Sequence, residues 1–286
     1  HDALPILDRY IPGAEMNQWI LAVSVQSKNG DDVTEEPITA MVEDVCTRLP
    51  ADTKRLYSSG MSGGARMAFW LSEQMKSKGF AGVLACGAGG TPEKMSSKTA
   101  VFGLCGSNCF NRWDMACTFK DLKNGSSRLR FFVGNHTWAD AGMITYGMAW
   151  LNACTLKSMP QLNAAIAEKN RFIGLVQDEI SQSAESDPEK AYEWAICLSQ
   201  ASSAPSVAKS PQLAALLKNP KVQAYVSAMK DVDQFVKRHF ATDPMDYKNN
   251  NGTEAAKRDA ERLAAKNKDT CLAELFTRMG EPAVKP

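Results

Sequence analysis

With 33 lysines and arginines against 32 aspartates and glutamates over 286 residues, the chain has a net charge of +1, which gives nucleic acid or an anionic membrane surface nothing to select. No apolar run is long enough to cross a bilayer. The length suits one large domain or two modest ones, and eight dispersed cysteines are too few for a miniprotein built on disulfides.

Taken in order, 3–17 reads as a helix with Leu4, Leu7, Ile11 and Ala14 on one stripe and Pro5 tolerable in its first turn. Residues 19–25 are apolar throughout, the signature of a strand buried on both faces. A polar loop with an Asn29-Gly30 turn signal follows, then a helix over 37–48 with Ile38, Met41, Val42 and Val45 inward. The segment 55–71 begins as a short strand and ends as a helix, with Gly60-x-Ser62-x-Gly64 between them. Further strands are predicted at 82–88, 99–106 and 128–133, and helices at 112–123 and 139–156. This alternation predicts an α/β core over 1–157: a doubly wound parallel sheet with right-handed crossovers and helices on both faces.

From Pro160 the character changes to helices alone, predicted at 161–182, 187–200, 210–217, 220–240 and 253–279, with Ser186 or Asp187 capping ahead of Pro188. Residues 158–286 therefore form a helical C-terminal domain, whose sequence discloses no role beyond a surface that a protein partner could use. The chain starts at His1 with no basic-then-apolar leader, so either a leader has been removed or the sequence begins inside a longer product; the expected setting is secreted or extracytoplasmic.

The chemistry concentrates at Ser62. Gly60-x-Ser62-x-Gly64 between strand and helix is the pattern of a nucleophile elbow, in which the serine projects from a sharp turn and the glycines give it room. The helix that follows aims free N–H groups at the same point, so Gly63 N–H would meet an oxyanion formed there. The bland alternative is a glycine-rich connection that happens to contain a serine. A serine nucleophile needs a base, and of the three histidines His1 is terminal and His239 lies in a helical stripe. His136 follows the last strand, in Gly134-Asn135-His136-Thr137-Trp138, and in a parallel sheet functional groups gather beyond the carboxyl ends of the strands. Trp138 either walls a substrate pocket or anchors the last helix of the core, and Met61 and Gly63 flank the nucleophile on the substrate side.

Cys105-x3-Cys109-x7-Cys117 is the one cysteine cluster. Zinc would want two close pairs with histidine ligands, so no metal or other cofactor is assigned. A disulfide is expected between Cys105 and Cys109, or from one of them to Cys86 or Cys117, in preference to buried free thiols.

On Gly60-Met61-Ser62-Gly63-Gly64-Ala65-Arg66-Met67-Ala68, the strand at 80–88 and Gly134-Asn135-His136-Thr137-Trp138, the first half of the chain resembles the α/β-hydrolase superfamily, in the esterase branch close to polyhydroxybutyrate depolymerases. The resemblance implies hydrolysis of a carboxylic ester or related acyl bond, in a small or polymeric substrate, with Ser62 as nucleophile and His136 as base. It also implies a triad acid in the loop after the penultimate strand, which here reads Gly106-Ser107-Asn108-Cys109-Phe110-Asn111, with Cys109 where the family places aspartate. Asp114 is then the expected acid and Asp140 the next carboxylate. The second oxyanion donor would come from the family's loop ahead of the first helix, of which His1 and Asp2 are what is left. The competing expectation is a hydrolase fold without catalysis, serving as a binding module.

Overall fold

Four strands, β1 (Leu56–Met61), β2 (Phe80–Cys86), β3 (Ala100–Gly106) and β4 (Ser127–Phe132), form one sheet in the order β1-β2-β3-β4 in the computed structural model. Every neighbouring pair is parallel. The structure describes residues 4–26, 35–75, 79–122, 126–159, 163–201, 211–243 and 253–284.

Alternation along the strands assigns the two faces. Val83, Ala85 and Val101 pack with Ala65, Ala68 and Phe69 of α3 (Gly63–Gln74). Leu84, Cys86, Phe102 and Leu104 face the other way, onto α1 (Leu4–Asn17) and α5 (Ala141–Lys157). Because both faces are covered, β3 is buried along its whole length, which is why its sequence is apolar without a break. Helices α2 (Glu35–Arg48) and α4 (Arg112–Asp121) complete this half. The crossover from β2 to β3 holds a single 3-10 turn at Pro92–Lys94 in place of an α-helix.

Beyond Lys157 come α6 (Asn163–Ser183), α7 (Pro188–Ala201), α8 (Pro211–Lys218), α9 (Pro220–His239), α10 (Glu254–Lys266) and α11 (Ala273–Gly280). They share two apolar clusters with the sheet. Phe172, Val176, Trp194 and Leu198 continue the cluster beneath α5, while Phe235, Phe240, Leu275 and Phe276 cover Cys105, Met115 and Phe131.

Several expectations are corrected here. Residues 19–25 do not form a strand: Trp19 stacks on Tyr57 at 3.9 Å between ring centroids, but the segment joins none of the four strands and Ile20, Val23 and Val25 are exposed. An apolar run satisfies the requirement for a buried strand, yet without a ladder partner it remains irregular. In α1 the inward stripe is Tyr10, Gly13, Ala14 and Asn17, and Ile11 faces out. The helix expected over 253–279 is two helices, because Asn267 ends α10 and sends its side-chain amide to Asp231 of α9 and back to the Leu263 carbonyl. The Asn29-Gly30 turn lies outside the described residues. Asp187 rather than Ser186 caps α7, accepting from Lys190 N–H at 2.9 Å.

The edge of the sheet is bonded to the helical half by charge. Arg128 and Arg130, two apart and therefore on one side of β4, both reach Glu193 of α7. Tyr225 of α9 donates to the same carboxylate at 2.8 Å, and Arg128 donates to Tyr146 at 2.6 Å. Burial opposes charge on Arg130, but Glu193 more than offsets it, so the guanidinium is held charged. Replacing Glu193 with Gln leaves two guanidiniums against a neutral amide. Urea unfolding of Glu193→Gln is expected to show a loss of about 3–5 kcal/mol, the usual cost of breaking a buried pair from one side. A loss below about 1 kcal/mol would mean that solvent, not Glu193, balances those charges.

Candidate functional site

The carboxyl ends of the four strands hold Ser62, Gly87, Cys109 and His136 in neighbouring connections. Ser62 sits between β1 and α3 at φ 56°, ψ −119°, a region a side-chain-bearing residue rarely adopts. The turn is fixed from both sides. Ser62 N–H donates to the Cys86 carbonyl at 2.8 Å, and the Ser62 carbonyl accepts from Ala65 and Arg66 N–H. A Cβ on Gly60 would lie 2.3 Å from the Gly64 carbonyl group, so the first glycine is sterically required. The second is not. A Cβ on Gly64 would meet nothing within 4 Å, which corrects the expectation that both flanking glycines make room for the serine.

Gly63 and Gly64 are the first residues of α3, and their N–H groups have no acceptor within the helix. They supply donors at the positive end of the helix dipole, beside a serine whose own side chain does not cap it. Ser62 and His136 are each half-buried, and no hydrogen bond joins them in this structure.

His136 is held from the side opposite Ser62's helix. Its Nδ1 lies 3.1 Å from Cys109 Sγ, and its ring packs on Phe110 with centroids 4.1 Å apart. Gly87, at φ +63°, comes so close that a Cβ there would lie 3.4 Å from the imidazole. Cys109 is fully buried, and Asn111 N–H also points at its sulfur, at 3.4 Å. Hydrogen bonding from the Cys105 thiol, working against burial and helped by His136 and Asn111 N–H, pulls the Cys109 pKa down to about 6. Burial pushes Cys105 well above the usual thiol value.

Asp114, the expected acid, is engaged elsewhere. Its carboxylate pairs with Arg66 at 2.9 Å and accepts from Gly89 N–H at 3.1 Å. Asp140 caps α5 through Met143 N–H at 2.8 Å. Both are short side chains on helix starts, where the dipole and free N–H groups recruit carboxylates; His136 Nδ1 is left to Cys109. The expected disulfide is absent too: all eight cysteines are free thiols. Cys117 points away to the Thr242 carbonyl, and the Cys105 thiol donates to the Gly106 carbonyl at 3.5 Å. Trp138 meets Tyr10 edge-on at 5.9 Å and, like Met61, packs partly buried against the α1–α5 cluster. That contact favours the core-anchor role for Trp138. Cavities of about 330 and 540 Å³ lie between α6 and α8 and between β4 and α9, and neither is lined by Ser62 or His136.

The loop carrying Cys109 is fixed by the far end of the chain. Ser107 N–H and Asn108 N–H donate to the carbonyls of Phe132 and Gly134, which joins this loop to the one bearing His136. Val284 N–H donates to the Asn108 carbonyl at 3.0 Å, making a parallel bridge opposite Cys109, and Asn108 Nδ2 donates to the Arg278 carbonyl. Arg112, buried to 1 % exposure, donates to the carbonyls of Ser107 and Glu281 at 2.7 and 2.8 Å and lies 4.4 Å over the Phe240 ring. Sequence reasoning missed these roles for Arg112 and Cys109. An arginine in a first helical turn reads as solvated, whereas Cys109 had one pointer, its place where the resembled family has aspartate.

The strained backbone at Ser62 yields a stability prediction with an unusual sign. Glycine adopts φ 56°, ψ −119° freely, so Ser62→Gly should raise the unfolding free energy by about 1–3 kcal/mol while removing the hydroxyl. Ser62→Ala, which keeps the strain, should leave stability near the wild-type value. Thermal midpoints for the two variants check this, and a destabilised Ser62→Gly would show that the turn is unstrained. No family model, curated protein or solved structure gives a significant match to this chain.

Proposed function

We propose that this chain is a serine hydrolase of the α/β-hydrolase type, cleaving a carboxylic ester or related acyl bond through an acyl-enzyme at Ser62. The observation that carries the reading is the strained turn at Ser62, forced by the close approach of Gly60 to Gly64 and set at the N-terminus of α3. Strain of this kind is retained where a side chain must be presented. His136, in the connection after β4 at the other end of the strand order from β1, is the base in this reading.

In this reading Ser62 Oγ attacks the acyl carbon as its proton passes to His136 Nε2, and the carbonyl oxygen, now negative, is met by Gly63 N–H. Collapse expels the alcohol, which takes the proton back from His136. Water then repeats the sequence with the acyl-enzyme, releasing the acid and restoring Ser62. The Ser62–His136 hydrogen bond would form as substrate seats, as catalytic contacts commonly tighten in the bound state. The substrate class is a small or polymeric ester, and the helices after Lys157 are an appendage to the hydrolase core. Among the described residues no helix is long and apolar enough to span a membrane.

The second reading, a hydrolase fold serving as a binding module, draws on the missing Ser62–His136 bond and on cavities that lie away from both residues. A fluorophosphonate probe separates the two. Covalent labelling that disappears in Ser62→Ala, with ester hydrolysis falling about 10²–10⁴-fold in His136→Gln, is the expected result. Wild-type protein that stays unlabelled at high probe concentration would leave the binding-module reading in place.

A further inference from the structure

Resting on the hydrolase reading, we propose that Cys109 is the positioning residue behind His136: its thiolate accepts the Nδ1–H hydrogen bond, fixes the tautomer that leaves Nε2 free for Ser62, and offsets the imidazolium charge that forms when His136 takes the serine proton. A carboxylate ordinarily does this work, and neither nearby candidate reaches the ring. Asp114 is taken by Arg66 and Gly89 N–H, and Asp140 by its helix start.

The geometry favours sulfur as the acceptor. A neutral thiol would have to donate its one hydrogen to the Gly87 carbonyl, 3.9 Å away, or to an unprotonated His136 Nδ1 at 3.1 Å. Asn111 N–H aims a hydrogen at Sγ from 3.4 Å, which favours sulfur as an acceptor, and a thiolate there takes its second hydrogen bond from His136 Nδ1–H at 3.1 Å. Asn111 stands at the start of α4, so the helix dipole also places positive potential on the sulfur. The titratable and charged groups around it are Cys105 from β3, Cys86 behind that from β2, Arg112 from α4, His136 and, across Asn108, Glu281. Cys105 and Cys86 are pushed up as thiols, to about 12 for Cys86, and so remain neutral beside the thiolate. At 0 % exposure Cys109 is shielded from substrate, which separates its role from that of a cysteine nucleophile.

The consequence is a chain of three groups, Cys109, His136 and Ser62, in which the terminal anion sits on sulfur. His136 is oriented from three sides, by the Sγ contact, the Phe110 face and the close approach of Gly87. A proton on Nδ1 has one acceptor, Cys109 Sγ, and this leaves Nε2 as the basic nitrogen.

The test reads the pair itself and the chemistry separately. Thiolate absorbance near 240 nm, taken as the difference between wild type and Cys109→Ser, should titrate around pH 6. In protein carrying 15N-histidine, with His136 assigned through His136→Gln, wild type at neutral pH should show the Nδ1–H tautomer. That preference should be lost in Cys109→Ser and in Cys109→Ala. Ester hydrolysis in either variant should fall about 10²–10⁴-fold in kcat with KM little changed, and Cys109→Asp should recover much of it. A wild-type Nε2–H tautomer, the absence of any thiolate difference, or wild-type kcat in folded Cys109→Ala would overturn the proposal. Should Cys109→Asp fail to fold, the absorbance and tautomer measurements on wild type and Cys109→Ser still decide it. If both signatures are present but no fluorophosphonate labels Ser62, the pairing stands and its catalytic role falls with the hydrolase reading.

Discussion

Burying the Arg112 guanidinium forces the loop after β3 and the segment after α11 together. A charge removed from water must be fully solvated by the protein, and here carbonyls do that work: Ser107 in the loop after β3 and Glu281 after α11, with the Phe240 face completing the cage. Both carbonyls lie where chain direction leaves oxygens free, one in a tight loop and the other just past a helix C-terminus, where the dipole favours a cation. The guanidinium keeps these partners only if the segment 278–284 lies against the loop 107–112. The helical half of the chain is therefore part of the scaffold of the candidate site.

From that tie the constraint passes inward by short steps. The loop 107–111 is held to the β4 connection by Ser107 and Asn108 N–H groups, so the residues that carry Cys109 and His136 move as one unit. Asn111 Nδ2 reaches the Gly87 carbonyl at 2.8 Å and couples that unit to the end of β2. The residue before Gly87, Cys86, receives the Ser62 N–H. Ser62 and His136 are thus referenced to the same strand end through hydrogen bonds, and their backbone separation is set by the sheet.

What could be read in the sequence follows the range of each interaction. The strands at 82–88 and 99–106 were legible because burial on both faces leaves an unbroken apolar run, and the turn at Ser62 was legible because its glycine requirement is local, between Gly60 and Gly64. Residues 19–25 carry the same apolar signature without a partner, since pairing is a tertiary event that composition does not encode. The division of 253–279 into two helices depends on Asn267 meeting Asp231 from another helix. The position of Asp114 was hidden for the same reason: it is near Cys109 in sequence, but Arg66, 48 residues earlier, holds its carboxylate. Type and order of elements are written locally, whereas the partner of a polar side chain is decided by whichever group the fold brings nearest.

Sulfur in place of a carboxylate changes what the surroundings must supply. A carboxylate spreads its charge over two oxygens and stays ionised down to its usual low pKa, so it can fix a histidine with little help. A thiol is neutral at pH 7 unless donors and positive potential favour its anion. The Cys109 loop provides these at short range, from the Asn111 N–H and the start of α4. These donors are worth most where water is excluded, and the full burial of Cys109 beside the C-terminal strap excludes it. The buried Arg112 clamp and the depressed thiol are then linked. The clamp keeps 278–284 over the loop, the covered loop keeps its donors dry, and the dry donors keep a charge on sulfur facing His136. In the proposed arrangement, loosening the strap would admit water to Sγ and weaken those hydrogen bonds together, so residues 278–284 would support the orientation of a histidine in the other half of the chain.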